Sequence, residues 1–270
     1  MCLIVTKPKG KSLPVAEQFN FWFKGHPDGF GLAFLHQKKV RILKGALSVE
    51  SMFELLAKMK AYLGKTKPED VDMIFHFRQA TNGSISPKNC HPFPITDNQE
   101  DLASLDVLTD CALAHNGIIF TSEQNYYSGE TDTACPGEAP LDKTDTQQFI
   151  EDYLVGMGDS LWNPSVQDLI ADFTDSRFTF LSKRGITYIG DFTEENGCKY
   201  SNGGYKGTMV NQPTLEHGEA TCLLCGTDKS PLYFVDEDLT ILCASCLRQL
   251  EGVEPNEENE VGANDPDDWR

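Results

Sequence analysis

The chain of 270 residues is 40% hydrophobic and 24% charged, a composition typical of a globular protein with room for one large domain and a small module. Lys and Arg number 23 against 41 Asp and Glu, and the net charge of −18 repels phosphate backbones, which disfavours nucleic-acid binding. No apolar run reaches the length of about 18 residues that a membrane helix needs, and no signal-peptide pattern is visible, so we expect no membrane association.

Hydrophobic spacing and turn residues predict strands that alternate with helices. Strands are predicted at 2–6, 30–36, 39–43, 71–78, 111–120 (interrupted by His115-Asn116-Gly117), 177–182 and 186–191. Helices are predicted at 15–23, 48–63, 144–155 and 164–172. Polar, turn-rich stretches predict loops at 79–94, 121–143 and 194–220.

The C-terminal part of the chain divides into two further regions. Residues 221–250 hold four closely spaced cysteines and form a module of their own. Residues 251–270 carry eight acidic side chains against one arginine, which predicts a disordered tail. We therefore expect a main domain at 1–220, the cysteine module and the tail.

The cysteine module has the spacing of a metal site. Cys222 and Cys225 form one Cys-x-x-Cys pair, and Cys243 and Cys246 form a second. Two such pairs complete a tetrahedral sulfur site that suits a structural Zn²⁺ ion, and the apolar stretches between them predict the hairpin of a zinc ribbon. Disulfides or free thiols are the alternative. The scarcity of cations favours docking to a partner protein, or bracing of the main domain, over binding of nucleic acid.

The remaining cysteines bear on the compartment. The total is nine, an odd number, and the five outside the module are scattered. A disulfide framework does not fit that pattern, so a cytoplasmic location is expected.

Met1-Cys2 is the stretch with the clearest chemistry. Removal of Met1 would place a thiol and a free α-amine on the same residue. The reference pKa is about 8.5 for the thiol and about 7.7–8.0 for the amine, so the amine can take the proton of the thiol near neutral pH. Cys2 is thus a candidate nucleophile, although a cysteine at such a position can also be a small buried apolar residue.

Five short motifs follow one another in a fixed order. They are Cys2, the stretch 78–83 (Arg-Gln-Ala-Thr-Asn-Gly), His91-Pro92, His115-Asn116-Gly117 and Thr144-Asp145-Thr146. In this order they resemble the class II glutamine amidotransferase domain, an N-terminal-nucleophile (Ntn) hydrolase, over roughly residues 2–205. The resemblance implies an α+β fold, a four-layer αββα sandwich with two mainly antiparallel sheets packed face to face between helices.

The resemblance also implies the catalytic roles. Cys2 would attack the side-chain amide of glutamine, forming a γ-glutamyl thioester and ammonia, with its own α-amine as base and then acid. Asn116 and Gly117 would donate side-chain and backbone N–H groups to the developing oxyanion. Taken alone, Asn-Gly is also a common hairpin turn.

Substrate recognition would use four further residues. Arg78 would bind the α-carboxylate of glutamine through its planar guanidinium, and Asp145 would bind the α-ammonium. Thr81 and His91 would shape the pocket. Asp145 can also simply favour a helix N-terminus. Gln79 departs from the family pattern, since many members have an aromatic residue there.

Three hypotheses for function follow. The first is a glutamine-hydrolysing enzyme that supplies ammonia to a separate acceptor protein, because the sequence has no recognisable acceptor domain. The second is a stand-alone hydrolase of γ-glutamyl amides. The third is a catalytically silent Ntn-fold scaffold that binds protein partners.

Overall fold

The protein is described from a computed structural model, which covers residues 1–81, 83–119 and 143–206 and the backbone of residues 232–234 and 241–243. The chain divides into two compact units, one of residues 1–13 and 21–206 and the other of residues 14–20 and 207–270. The described part of the first unit is a mixed α and β fold with two antiparallel sheets.

The larger sheet has seven strands in the order β10-β11-β1-β4-β2-β3-β6. Their bounds are β1 Leu3–Lys7, β2 Gly29–His36, β3 Lys39–Ala46, β4 Met73–Arg78, β6 Asp106–Thr109, β10 Thr193–Glu195 and β11 Cys198–Tyr200. The smaller sheet has four strands in the order β5-β7-β8-β9. Their bounds are β5 Phe93–Pro94, β7 Cys111–Asn116, β8 Arg177–Ser182 and β9 Gly185–Ile189.

The described residues also form several helices. They are α1 Ala16–Gly25, α2 Val49–Leu63, α3 Gln99–Ala103, α4 Asp145–Phe149, α5 Val155–Met157 and α6 Pro164–Thr174. A π-helical turn, Ile150–Leu154, joins α4 to α5, and a 3₁₀ helix, Gly158–Trp162, follows. No helix of the described residues has the length and apolar character that a membrane crossing requires.

Strand β1 lies in the interior of the larger sheet, between β4 and β11. All five of its residues are buried, which explains the uninterrupted apolar run at 3–5. The buried Lys7 ammonium donates to the carbonyl oxygens of Lys11 and Pro68, so its polar group is satisfied. Cys2 therefore stands directly before a strand that its neighbours hold on both sides.

The two sheets share a hydrophobic cluster. Ile4 and Ile42 from the larger sheet belong to it together with Ala112 and Leu181 from the smaller one. Because successive residues of a strand point to opposite faces, Leu113 of β7 joins a second cluster instead. That cluster contains residues of the helices that follow β7, among them Phe149, Ile150, Leu154 and Ile170.

Helix α2 fits its sequence prediction closely. Ser48 is the N-cap, and its hydroxyl accepts a hydrogen bond from the backbone N–H of Ser51. One face buries Met52, Leu56, Met59 and Leu63, and the helix packs against β2 and β3. The helix ends at Leu63, and Gly64 follows at a positive φ of 58°.

Two expectations about secondary structure were wrong. Strand β7 ends at Asn116, and the apolar residues Ile118 and Ile119 after the glycine do not continue it. The stretch from 194 onward is not only loop, because β11 pairs with β1 through Val5 and Tyr200. Strands β5 and β6 and helix α3 were also missed.

The described residues of the second unit include the start of α1 and a hairpin of β12 (Leu232–Phe234) and β13 (Ile241–Cys243). Leu232 pairs with Cys243 in antiparallel register. A hairpin was predicted at this place between the two cysteine pairs. The cysteine side chains lie outside the described residues, as do the expected domain limits at 220 and 250 and the predicted tail.

Candidate active site

Pairing of β1 with β4 brings Cys2 to the end of β4. Leu3 pairs with Phe77, so Cys2 lies beside Arg78 in the next position of the register. The Cys2 sulfur is 3.4 Å from the backbone nitrogen of Gln79, which donates to it, and 3.4 Å from the Gln79 carbonyl oxygen. Cys2 is half-buried, unlike the fully buried Leu3 that follows it.

The charge state of the Cys2 thiol follows from its surroundings. Burial raises the pKa of the thiol above its ordinary value, while the Gln79 N–H and the positive charge of Arg78 act in the opposite direction. The negative charge of Asp145 also raises this pKa. The resting thiol is therefore protonated at neutral pH, and nucleophilic attack needs a base that removes the proton.

The N-terminal residues are held by two side-chain amides. The Met1 amino group donates to Gln79 Oε1 at 2.7 Å. Asn202 Nδ2 donates to the Cys2 carbonyl oxygen at 2.6 Å. The backbone around Cys2 is thus fixed from two sides.

Arg78 ends strand β4 as a buried residue, with 2% of its surface exposed. Its guanidinium donates to the carbonyl oxygens of Ser84 at 2.9 Å and Gly83 at 3.2 Å. These contacts wrap the loop after β4 around the guanidinium. They fix the Arg78 side chain at the end of the strand that lies beside Cys2. The structure brings Arg78 and Cys2 together, and their roles toward glutamine stay predictions.

Asp145 lies in the first turn of α4. Thr144 caps this helix and forms a capping box with Gln147. The Asp145 carboxylate accepts hydrogen bonds from the backbone N–H of Ile119 at 2.9 Å and of Thr146 at 2.8 Å. The charges of Arg78 and Asp145 shift the pKa of the Cys2 thiol in opposite directions.

Asn116 is the last residue of β7, and Gly117 follows it. Asn116 is buried, and its Nδ2 donates to Ser201 Oγ at 2.9 Å. Gly117 has a φ of +154°, and a Cβ on it would lie 2.7 Å from the Ser176 Cβ and closer still to the Ser176 hydroxyl. Only glycine fits this position.

His91 and Thr81 have different surroundings. Thr81 is exposed, whereas His91 is buried with its Nε2 3.1 Å from Thr146 Oγ1. The same hydroxyl lies 2.9 Å from His115 Nδ1. His76 contacts the His91 ring at a centroid distance of 4.3 Å. His91 thus belongs to a cluster of three buried histidines that meets Asp145 through its neighbour Thr146.

Burial keeps the three histidines neutral. It lowers the pKa of His76 to about 3 and that of His115 to about 4, and it lowers the pKa of His91 well below its ordinary value. The nearby charge of Asp145 opposes the shift at His115. One ring nitrogen of each histidine has no hydrogen-bond partner within the described part of the chain.

Sequence reasoning missed Thr146, Ser201 and Asn202 as members of this region. Thr146 lies within a quoted motif, so its neighbourhood was visible. Ser201 and Asn202 precede Gly203-Gly204, which indicates only a turn. The four cysteines proposed as metal ligands are outside the described residues, and within those residues no group of three or more potential ligands could hold a metal ion.

Comparison with known proteins agrees with this geometry. The model of the class-II glutamine amidotransferase family matches residues 20–182, more than half of the chain, and the chain belongs to this family. The match spans every predicted site residue of the main domain except Cys2. The resemblance to class II glutamine amidotransferases seen in the sequence is confirmed.

An uncharacterized protein of Methanocaldococcus jannaschii is similar to this chain. It is 28% identical over 183 residues, which is 67% of this chain and 41% of that protein. The chain therefore spans about two fifths of the length of the curated relative that it matches.

Proposed function

We propose that this protein hydrolyses the side-chain amide of glutamine through Cys2 and supplies the ammonia to a separate acceptor enzyme. The observation that carries the proposal is the environment of the Cys2 sulfur. This sulfur accepts a hydrogen bond from the Gln79 N–H, and the charges of Arg78 and Asp145 both influence the pKa of the thiol. A free amino acid carries a carboxylate and an ammonium, and a guanidinium and a carboxylate are their natural partners.

The reaction begins with removal of Met1, which exposes the Cys2 α-amine. The amine takes the thiol proton, and the sulfur adds to the amide carbon of glutamine. The oxyanion that forms is bound by the N–H groups of Asn116 and Gly117. The protonated amine gives its proton to the leaving nitrogen, which departs as ammonia. Water then cleaves the γ-glutamyl thioester, releasing glutamate and restoring the thiol.

Covalent labelling tests the proposal. A glutamine analogue with an electrophilic diazoketone in place of the amide should modify Cys2 alone, as peptide mass spectrometry would detect. Cys111 is the matched control, because it is also a half-buried thiol and burial raises its pKa to about 12. Cys111→Ala should leave labelling and glutamine hydrolysis intact, and Cys2→Ala should abolish both. Labelling that persists in Cys2→Ala would overturn the proposal.

We also propose an order of layers for the fold and a cellular location for the protein. An αββα order of layers is supported by the cluster that the two sheets share and by the helices packed on the other face of β7. A cytoplasmic location is supported by the described cysteines, Cys2, Cys90, Cys111 and Cys198, which are all free thiols.

We further propose that Cys222, Cys225, Cys243 and Cys246 bind a structural Zn²⁺ ion. The support is the hairpin of β12 and β13, which separates the two cysteine pairs in the chain. Two pairs at the ends of a short hairpin suit a tetrahedral sulfur site, and the metal would contribute much of the folding energy of so small a module. Elemental analysis should find one zinc per chain, and Cys222→Ser with Cys225→Ser should lose it.

A further inference from the structure

Ser201 connects the nucleophile strand to the strand end that carries Asn116. It follows β11 directly and is buried, with 2% of its surface exposed. Its hydroxyl oxygen accepts a hydrogen bond from the backbone N–H of Ile4 at 2.9 Å and another from Asn116 Nδ2 at 2.9 Å. Its own backbone N–H donates to the Ile4 carbonyl oxygen at 3.0 Å. One hydroxyl thus fixes the position of β1 relative to the side chain of Asn116.

The contact with Ser201 holds the Asn116 amide with its nitrogen toward the hydroxyl. A side-chain amide has two N–H bonds on one side and an oxygen on the other, and rotation by half a turn exchanges them. The Asn116 oxygen has no hydrogen-bond partner within the described residues. In this orientation the Ser201 oxygen accepts from Asn116 Nδ2, and within the described residues that nitrogen makes no other hydrogen bond.

The next residue holds the nucleophile itself. Asn202 Nδ2 donates to the Cys2 carbonyl oxygen at 2.6 Å, and Asn202 Oδ1 accepts from the backbone N–H of Gly204 at 2.8 Å. Both ends of the Asn202 amide are thereby satisfied. Two consecutive residues after β11 consequently fix Cys2 on one side and Asn116 on the other.

We propose that Ser201 is a positioning residue that acts through Asn116, keeping an N–H of the amide directed at the oxyanion formed when Cys2 attacks. The inference rests on the proposed hydrolysis of glutamine. A rotated Asn116 would present its oxygen to the oxyanion, and the repulsion would raise the barrier of the chemical step. Ground-state binding of glutamine uses other groups, so loss of the Ser201 contact should lower kcat and leave KM nearly unchanged.

The first test compares three substitutions of Ser201 by steady-state kinetics. Ser201→Ala and Ser201→Cys should lower kcat by about 10- to 100-fold with KM for glutamine changed by less than about threefold, because the thiol fills the space but accepts hydrogen bonds weakly. Ser201→Thr keeps a hydroxyl and should retain most of the activity. The matched control is Ser182→Ala, which removes another buried serine hydroxyl, one bonded to the N–H of Arg184. Ser182→Ala should keep the wild-type kcat.

The second test asks whether Ser201 acts through Asn116. In a double-mutant cycle, Ser201→Cys should have little further effect in the Asn116→Ala background, because the amide that it orients is already gone. Equal losses in both backgrounds would overturn the inference, as would a wild-type kcat for folded Ser201→Cys. If the wild-type protein hydrolyses no glutamine and Cys2 is not labelled, the proposed function fails instead, so the two failures are distinguishable.

Discussion

The backbone N–H of Gln79 donates to the Cys2 sulfur at 3.4 Å, and the side-chain oxygen of the same glutamine accepts from the amino group of Met1 at 2.7 Å. Gln79 therefore contacts both the proposed nucleophile and the chain terminus. Removal of Met1 would leave the Cys2 amine as the chain terminus. We expect this amine to approach Gln79 Oε1, which would then hold the proposed general base.

The first prediction follows from this placement. Gln79→Glu should move the acidic limb of the pH profile of kcat/KM to higher pH, because a carboxylate beside the Cys2 amine favours its protonated, inactive form. Gln79→Leu should lower kcat without that shift. Gln167→Glu introduces the same charge on α6, where Gln167 bonds to the Leu161 carbonyl oxygen, and should leave the profile unchanged. A profile for Gln79→Glu identical to the wild type would contradict the prediction.

Arg78 gives the second prediction. Arg78→Lys keeps the charge but loses the planar fork, so we expect kcat/KM for glutamine to fall by about 10- to 100-fold, mainly through KM. The comparison is Arg184→Lys, since Arg184 is an exposed cation paired with Asp159. Steady-state kinetics with glutamine would measure both variants. Equal KM values for Arg78→Lys and Arg184→Lys would show that Arg78 does not bind the substrate.

Local sequence patterns correctly predicted the helices and strands whose own residues carry a clear cap or apolar pattern. Helix α2 has a cap and a continuous apolar face, and β1 has an apolar run, so their positions could be read within one or two residues. The candidate site was predicted from the order of five motifs that resembles a known family, and two of these motifs begin at or near the end of a strand. Arg78 and Asn116 are both the last residues of their strands.

Tertiary contacts decide what the sequence could not show. Strand β11 is three residues long, too short for a periodic signal, and it is a strand because it pairs with β1. For the same reason Ser201 and Asn202 could not be assigned. The end of β7 was misplaced because Ile119 is apolar, yet its N–H bonds to the Asp145 carboxylate and not to a neighbouring strand.

Gly117 yields a third prediction. Gly117→Ala should destabilise the protein by about 1–3 kcal/mol, because a Cβ there meets the Ser176 side chain in a backbone conformation that favours glycine. Gly156→Ala is the matched control, since it lies in α5 and a Cβ would meet nothing within 4 Å. Chemical denaturation should find the control unchanged or stabilised. Ser176→Gly combined with Gly117→Ala should restore part of the loss, and a pair no more stable than Gly117→Ala alone would refute the steric explanation.

The buried histidine cluster gives the last prediction, which concerns pH. An imidazole has a pKa of about 6.5 in the unfolded chain, and burial lowers the pKa of His76 to about 3 and that of His115 to about 4, with His91 also well below its ordinary value. Below pH 6.5 the unfolded chain therefore binds protons that the folded protein does not. The stability that these groups contribute is complete above this pH and is lost as the pH falls toward their folded-state pKa values. Near pH 5 the three groups together should lower the free energy of unfolding by about 4 kcal/mol for each unit by which the pH falls. Urea denaturation between pH 7 and pH 4.5 would measure the slope. His76→Gln should reduce this slope by the contribution of about one proton. An unchanged slope in that variant would contradict the conclusion that buried His76 stays neutral.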